Sequence, residues 1–190
     1  MKLPQIIAIA GTNGSGKDTV GELLRDEKQY DFVSLSDILR GELDKENLPH
    51  SRENLSMMSK RIRDADGDGG LAQLAINQYK QTSSASGLCL TSIRTPGEVD
   101  VIHQAGGVVV WMDADDRIRY ERIIRTQRGR PEDQVTFEEF LDHQAAEMSP
   151  TEQGNGLNMG AVKEKADIFL TNEFDSVETY KEYLKSYFEI

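Results

Sequence analysis

Cysteine is almost absent from this chain, basic charge is in deficit, and long apolar runs are missing. The one cysteine, Cys89, excludes an internal disulfide and suits a reducing compartment. Set in the apolar stretch "GLCLTSI", it reads as a buried structural thiol rather than a nucleophile. Lys and Arg total 22 against 33 Asp and Glu, a net charge of −11. That balance argues against an extended footprint on nucleic acid or an anionic membrane, both of which are bound by clustered cations. Any anion must be held locally. No run of about eighteen apolar residues suggests a membrane span. The opening "MKLPQIIAIAG" is shorter than a secretory apolar core and has no cleavage-like segment. A cytoplasmic location with no nucleic-acid or membrane partner is therefore expected; oligomeric state is not legible. His50, His103 and His143 are isolated, so no Ser-His-Asp, Cys-His or zinc spacing can be assembled.

Within the 190 residues, hydrophobic types make up 37% and charged types 29%, enough apolar material for one folded domain over 1–190. Ile6 to Ala10 is a continuous apolar run, as in a strand buried on both faces. A glycine-rich turn follows, then helical spacing over Thr19 to Glu27. Phe32 to Leu35 reads as a strand that leads into a helix opening near Ser36 and Asp37. Helices are expected over 52–65 and 71–81, flanking the turn "DGDGG". "GLCLTSI" and "GGVVVWMDA" add two buried strands, with a helix starting near Pro96 between them. A basic helix over 116–127, an acidic one over 136–147, the strand "ADIFLTN" and a helix over 176–188 complete the chain. This alternation predicts an α/β fold, a parallel sheet covered on both faces. Strand order cannot be read from it.

The loop "GTNGSGKDT" meets the spacing G-x-x-x-x-G-K through Gly11, Gly16 and Lys17, directly between a strand and a helix. Such a loop curls its N–H groups around phosphates, and glycine is needed where a Cβ would block the approach. Gly11, Thr12, Asn13, Gly14, Ser15, Gly16, Lys17, Asp18 and Thr19 are the candidate nucleotide-binding residues. Lys17 supplies a point charge for the β- and γ-phosphates, and the helix adds its positive end. Asp18 stands where the pattern normally has a hydroxyl for Mg²⁺. A carboxylate is a hard oxygen ligand, so Asp18 is either a metal ligand or a first-turn acid favoured by the helix dipole. "DADGDGG", residues 64 to 70, has the first half of a calcium loop, but its twelfth position is Ala75, so calcium is not expected. No N-K-x-D guanine-reading segment is present.

"SGKDT" resembles the phosphate loop of phage-type deoxynucleoside monophosphate kinases. The segments "VSLSDILRGEL", "SIRTPGEVDVI", "RYERIIRTQRGRPEDQVTFEEF" and "ADIFLTN", in that order, resemble the dephospho-CoA kinase and adenylate kinase branch of P-loop kinases. The resemblance implies a three-layer α/β/α P-loop NTPase fold with a parallel sheet and a small helical lid. It places an acceptor-binding helical region at 36–85 and the lid region at 122–148. Asp37 would then orient the acceptor or metal and serve as a candidate base, N-capping being the other reading. Arg40 and Arg94 would hold an acceptor phosphate, Arg125 would join Lys17 and Arg94 at the transferred phosphoryl group, and Arg128 and Arg130 would close from the lid. Arg122 and Asn172 would flank the adenine. One departure is that "LTSIR" lacks the carboxylate such kinases carry at the end of the third strand, leaving Asp18 or Asp37 to compensate.

ATP and Mg²⁺ are thus the expected cofactors, and a small-molecule phosphate acceptor the expected partner. The acceptor is a nucleoside monophosphate or, alternatively, the ribose hydroxyl of dephospho-CoA. A nucleotide-binding switch without turnover is the alternative outside catalysis.

Overall fold

The computed structural model describes residues 1–126, 135–149 and 157–190. Among them, β1 (Ile6–Gly11), β2 (Tyr30–Ser34), β3 (Gly87–Thr91), β4 (Val108–Asp113) and β5 (Ile168–Thr171) form a parallel sheet in the order β2-β3-β1-β4-β5. The helices are α1 (Lys17–Lys28), α2 (Leu35–Lys45), α3 (Arg52–Asp66), α4 (Gly70–Thr82), α5 (Pro96–Gln104), α6 (Asp116–Thr126), α7 (Phe137–Met148), α8 (Met159–Glu164) and α9 (Val177–Phe188).

Alternate residues of β1, β3 and β4 enter opposite cores, which explains their continuous apolar runs. Ile6, Ala8, Leu88, Leu90, Val109 and Trp111 pack with Leu35, Leu39, Met58, Ile76, Val99 and Val162 from α2, α3, α4, α5 and α8. Ile7, Ile9, Cys89, Val110 and Met112 pack with Val20, Leu23 and Leu24 of α1 and Tyr180, Leu184 and Phe188 of α9. Helix, sheet and helix thus form the three layers expected. Burial pushes the Cys89 thiol well above its ordinary pKa, as befits an inert core side chain.

The central strand β1 pairs with β3 on one side and β4 on the other, Ile9 opposite Thr91 and Gly11 opposite Met112. The carboxyl ends of these strands therefore adjoin, at the point where the sheet order reverses and open α/β sheets bind ligands.

Several boundaries differ from the sequence expectation. α1 begins at Lys17, because Gly16, at φ 90°, turns the chain straight from the loop into the helix. Ser34, in extended conformation, precedes α2, so Asp37 lies in the first turn and not at the cap. Ser34 is anchored by a tertiary contact, a 2.8 Å hydrogen bond between its hydroxyl and that of Ser92. β3 stops at Thr91 because Ser92 adopts φ 64°. The six-residue α8 carries no clear periodicity; Asn158 caps it, its side chain accepting from Ala161 N at 2.9 Å. Among the described residues, no helix is long and apolar enough to cross a membrane.

Candidate active site

The loop between β1 and α1 is held mainly by its own carbonyl groups. The Thr12 carbonyl accepts from Ser15 Oγ at 2.8 Å and from Lys17 Nζ at 2.5 Å. The Asn13 carbonyl accepts from Arg119 Nη1 at 3.1 Å, and the Ser15 carbonyl from Asn172 Nδ2 at 3.0 Å. The Thr12 hydroxyl donates to Asp113 Oδ1 at 2.7 Å, tying the loop to the end of β4.

Two of the glycines are required on the outer side of the curve as well. Gly14 has φ 79°, and a Cβ there would lie 2.7 Å from the Arg119 carbonyl oxygen. Gly16 has φ 90°, and its Cβ would lie 2.4 Å from Asn172 Nδ2. Both the left-handed backbone and the close packing behind the loop exclude a side chain. At its inner end, α1 has no side-chain cap at Gly16, whereas Ser51, Thr95, Thr136 and Ser176 cap α3, α5, α7 and α9. The positive end of the α1 dipole thus opens onto the loop, where an anion is favoured.

Desolvation lowers the Lys17 pKa to about 8; the positive charge of Arg94 adds to this, and Asp18 and Glu147 oppose it. Lys17 and Arg94 therefore share one electrostatic neighbourhood, although 77 positions separate them in sequence. Arg94 follows β3 directly, and its guanidinium lies 3.5 Å from Glu147 Oε1 of α7. Its backbone is fixed by Glu98, whose Oε2 accepts from Arg94 N at 2.7 Å and Thr95 N at 3.1 Å. Thr95 and Glu98 form a capping box, and the Thr95 hydroxyl donates to the Asp68 carbonyl at 2.7 Å. The acidic turn near 68 is thus a brace for α5. Burial pushes Glu98 up to about 7, against the two N–H groups that favour its charged form.

Beside Arg94 lies a cleft of about 60 Å³, lined by Leu35, Ser36, Leu39, Ser59, Arg63, Leu71, Ser92, Arg94, Glu98 and Leu157. Arg63 enters it from α3 and donates to Ser59 Oγ at 2.5 Å. Asp37 and Arg40 do not line this cleft; they pair with each other at the exposed start of α2.

The remaining sequence candidates are distributed as follows. Asp18 is exposed and Thr19 half-buried in the first turn of α1. Arg122 donates to the carbonyl oxygens of Asn172 and Phe174, each at 3.1 Å, and Arg125 is exposed on α6. Asn172 is buried behind the loop, with its N–H on the Asp113 carbonyl at 2.8 Å. Arg128 and Arg130 lie outside the described residues. Among the described residues, no three His, Cys, Asp or Glu side chains gather as a metal site. At the end of β3, where the carboxylate of the pattern is missing, the Thr91 hydroxyl is buried without a hydrogen-bond partner among the described residues.

Four residues at the site escaped the sequence reading. Arg119 is wholly buried among Asn13, Ala114, Asp116 and Gln144. Its signal was a charge four positions before Ile123, on the buried stripe of α6. Asp113 was visible as an acid ending an apolar strand. Glu98 was visible as the fourth residue of the capping box T-x-x-E, and Arg63 as a cation one turn after Ser59 on α3, but nothing local says that both face the cleft.

Fold and site together define a class, a P-loop protein on the three-layer plan of the small kinases. A family model described as AAA domain matches residues 7–146. A UPF0200 protein of Sulfurisphaera tokodaii is 31% identical over 182 residues, 95% of this chain and 94% of that protein. A UPF0200 protein of Pyrococcus horikoshii is 28% identical over 172 residues, 88% of this chain and 87% of that one. The chain belongs to the AAA-domain family and to the UPF0200 proteins. Among solved structures, a shikimate kinase from Acinetobacter baumannii in complex with shikimate superposes with a TM-score of 0.56. The match covers 98% of this chain and 94% of that one at 18% identity, so the two share a fold.

Proposed function

We propose that the protein transfers the γ-phosphoryl group of ATP to a small anionic acceptor, with a nucleoside monophosphate as the first candidate. The observation that carries this reading is Arg94, which lines a cleft that also receives Arg63 and whose charge is felt at Lys17 of the loop. Phosphoryl transfer asks a protein chiefly for positioning and charge neutralisation. Lys17 and the loop amides meet the donor phosphates, Arg94 and Arg63 meet the acceptor, and Arg122 lies on the base side. Mg²⁺ would neutralise the β- and γ-oxygens, and Asp18 is the carboxylate we assign to it or to its waters. One or two carboxylates suffice for a magnesium ion that also holds phosphates.

The acceptor side favours an anion over an alcohol. A phosphate monoester is largely ionised at neutral pH, its second pKa being about 6, so its oxygen attacks without a general base. The bond from the γ-phosphorus to the acceptor oxygen forms as the bond to the β–γ bridging oxygen breaks, and ADP leaves. A hydroxyl acceptor would need a base, and the cleft's carboxylate, Glu98, already binds two backbone N–H groups through Oε2. Asp37, the candidate base of the dephospho-CoA reading, is exposed and paired with Arg40.

A coupled ADP-release assay across nucleoside monophosphates and dephospho-CoA tests this. Turnover with a monophosphate is expected, with Arg94→Ala raising the acceptor KM by about tenfold or more. Tight ATP binding without acceptor-dependent turnover would return the switch reading instead.

A further inference from the structure

The groups behind the phosphate loop determine where its amides point. A trans peptide unit is planar, so its C=O and N–H face opposite ways, and no cis peptide occurs in the described chain. The Asn13 carbonyl is turned outward onto Arg119, which directs the Gly14 N–H away from α6. The Ser15 carbonyl is turned outward onto Asn172, which directs the Gly16 N–H away from the loop after β5. Two of the loop's donors are thereby aimed into its concave side.

Both anchors are built as fixed points. Arg119 is 1% exposed and Asn172 4%. Besides Asn13, the Arg119 guanidinium donates to the Ala114 carbonyl at 2.9 Å, to Asp116 and to Gln144 of α7, and it lies over the Phe140 ring at 5.3 Å. Asn172 is itself held by its N–H on Asp113 and by Arg122 on its carbonyl. With four of its five donors spent on protein acceptors and almost no exposed surface, Arg119 holds a shape.

We propose that Arg119 and Asn172 are positioning residues that brace two peptide units of the loop from behind, orienting the Gly14 and Gly16 N–H groups toward bound phosphate. Through Gln144, α7 is part of that brace. The inference rests on the nucleotide reading of the loop.

Inorganic tripolyphosphate probes the loop without a base or acceptor. Calorimetric titration with tripolyphosphate and with ATP is expected to show binding to the wild type. Asn172→Leu, which keeps the volume and removes the donor, is expected to weaken both ligands by about tenfold to a hundredfold. Arg119→Lys, which keeps the charge but reaches fewer acceptors, is expected to do the same, with a ligand-free unfolding transition still cooperative in each variant. In the wild type, the Gly14 and Gly16 amide protons are expected to move downfield in NMR spectra on saturation with tripolyphosphate. Affinities within twofold of wild type in folded variants overturn the proposal. So do unmoved Gly14 and Gly16 amides in the saturated wild type, a measurement that stands even if a variant does not fold. Absence of all wild-type binding overturns the nucleotide reading and this inference together, whereas wild-type binding with unaffected variants overturns this inference alone.

Discussion

Raising the pH from 7 to 9 should change how this protein takes up a nucleotide, because Lys17 titrates between those values. In the free protein its pKa is lowered to about 8, first by desolvation and then by the nearby Arg94. At pH 7 the ammonium is about nine-tenths protonated, and at pH 9 about one-tenth. Phosphate oxygens placed against Lys17 favour its charged form, so binding should draw the proton back. The expected uptake is about 0.1 proton per nucleotide at pH 7 and close to 0.9 at pH 9. Affinity should fall by roughly tenfold per pH unit above about 8.5, until the bound-state pKa is reached. Calorimetry in two buffers of different ionisation enthalpy reads the uptake directly, with Lys17→Met as the control that lacks it. Equal heats in the two buffers at pH 9 would refute the reasoning, showing that Lys17 either keeps its charge when free or does not meet phosphate. The same depressed pKa has a consequence for the ligand-free fold. Its contribution to stability is present above the ordinary value of 10.5 and lost as pH falls through about 8.

Two further outcomes follow from the geometry. Gly16→Ala forces a side chain into φ 90° with its Cβ 2.4 Å from Asn172 Nδ2. A loss of about 1 to 3 kcal/mol is expected, seen as a drop of roughly 3 to 10 °C in Tm for a chain of this size, along with loss of nucleotide binding. Glu98, raised by burial to about 7, favours its neutral form in the fold. That contribution is present below the ordinary 4.5 and lost as pH rises through about 7. Glu98→Gln keeps a carbonyl acceptor for the Arg94 and Thr95 N–H groups, so it should flatten the dependence of Tm on pH between 5 and 7; an unchanged slope in thermal melts would place that dependence elsewhere.

How far the sequence could be read depended on the range of the forces involved. The phosphate loop was legible because its chemistry is local, with glycines at left-handed positions, a lysine at the helix start and an apolar strand before it, all within twelve residues of chain. Helices α3, α4, α6, α7 and α9 were legible for a similar reason, since amphipathic spacing repeats within a single element. Asp37 and Arg40 were legible as a pair, being one helical turn apart, but their pairing kept them on the surface. α8 was missed because six residues carry too little periodicity to register.

The alternation of strand and helix was enough to predict a covered parallel sheet, and the glycine and lysine spacing a phosphate loop after its first strand. Strand order, by contrast, was decided by packing between distant segments, and it brought β3 and β4 to either side of β1. That order brought Arg94 within electrostatic reach of Lys17 and put the Asp113 carboxylate on the Thr12 hydroxyl. Tertiary structure also decided which arginine of the basic helix turns inward. Arg119 and Arg125 read alike as charges on one helix, but a buried guanidinium requires acceptors from several elements. Asn13, Ala114, Asp116 and Gln144 converge only where Arg119 lies. The stripe that Arg119 shares with Ile123 marks its direction, but the acceptors that let its charge be buried belong to the three-dimensional surroundings.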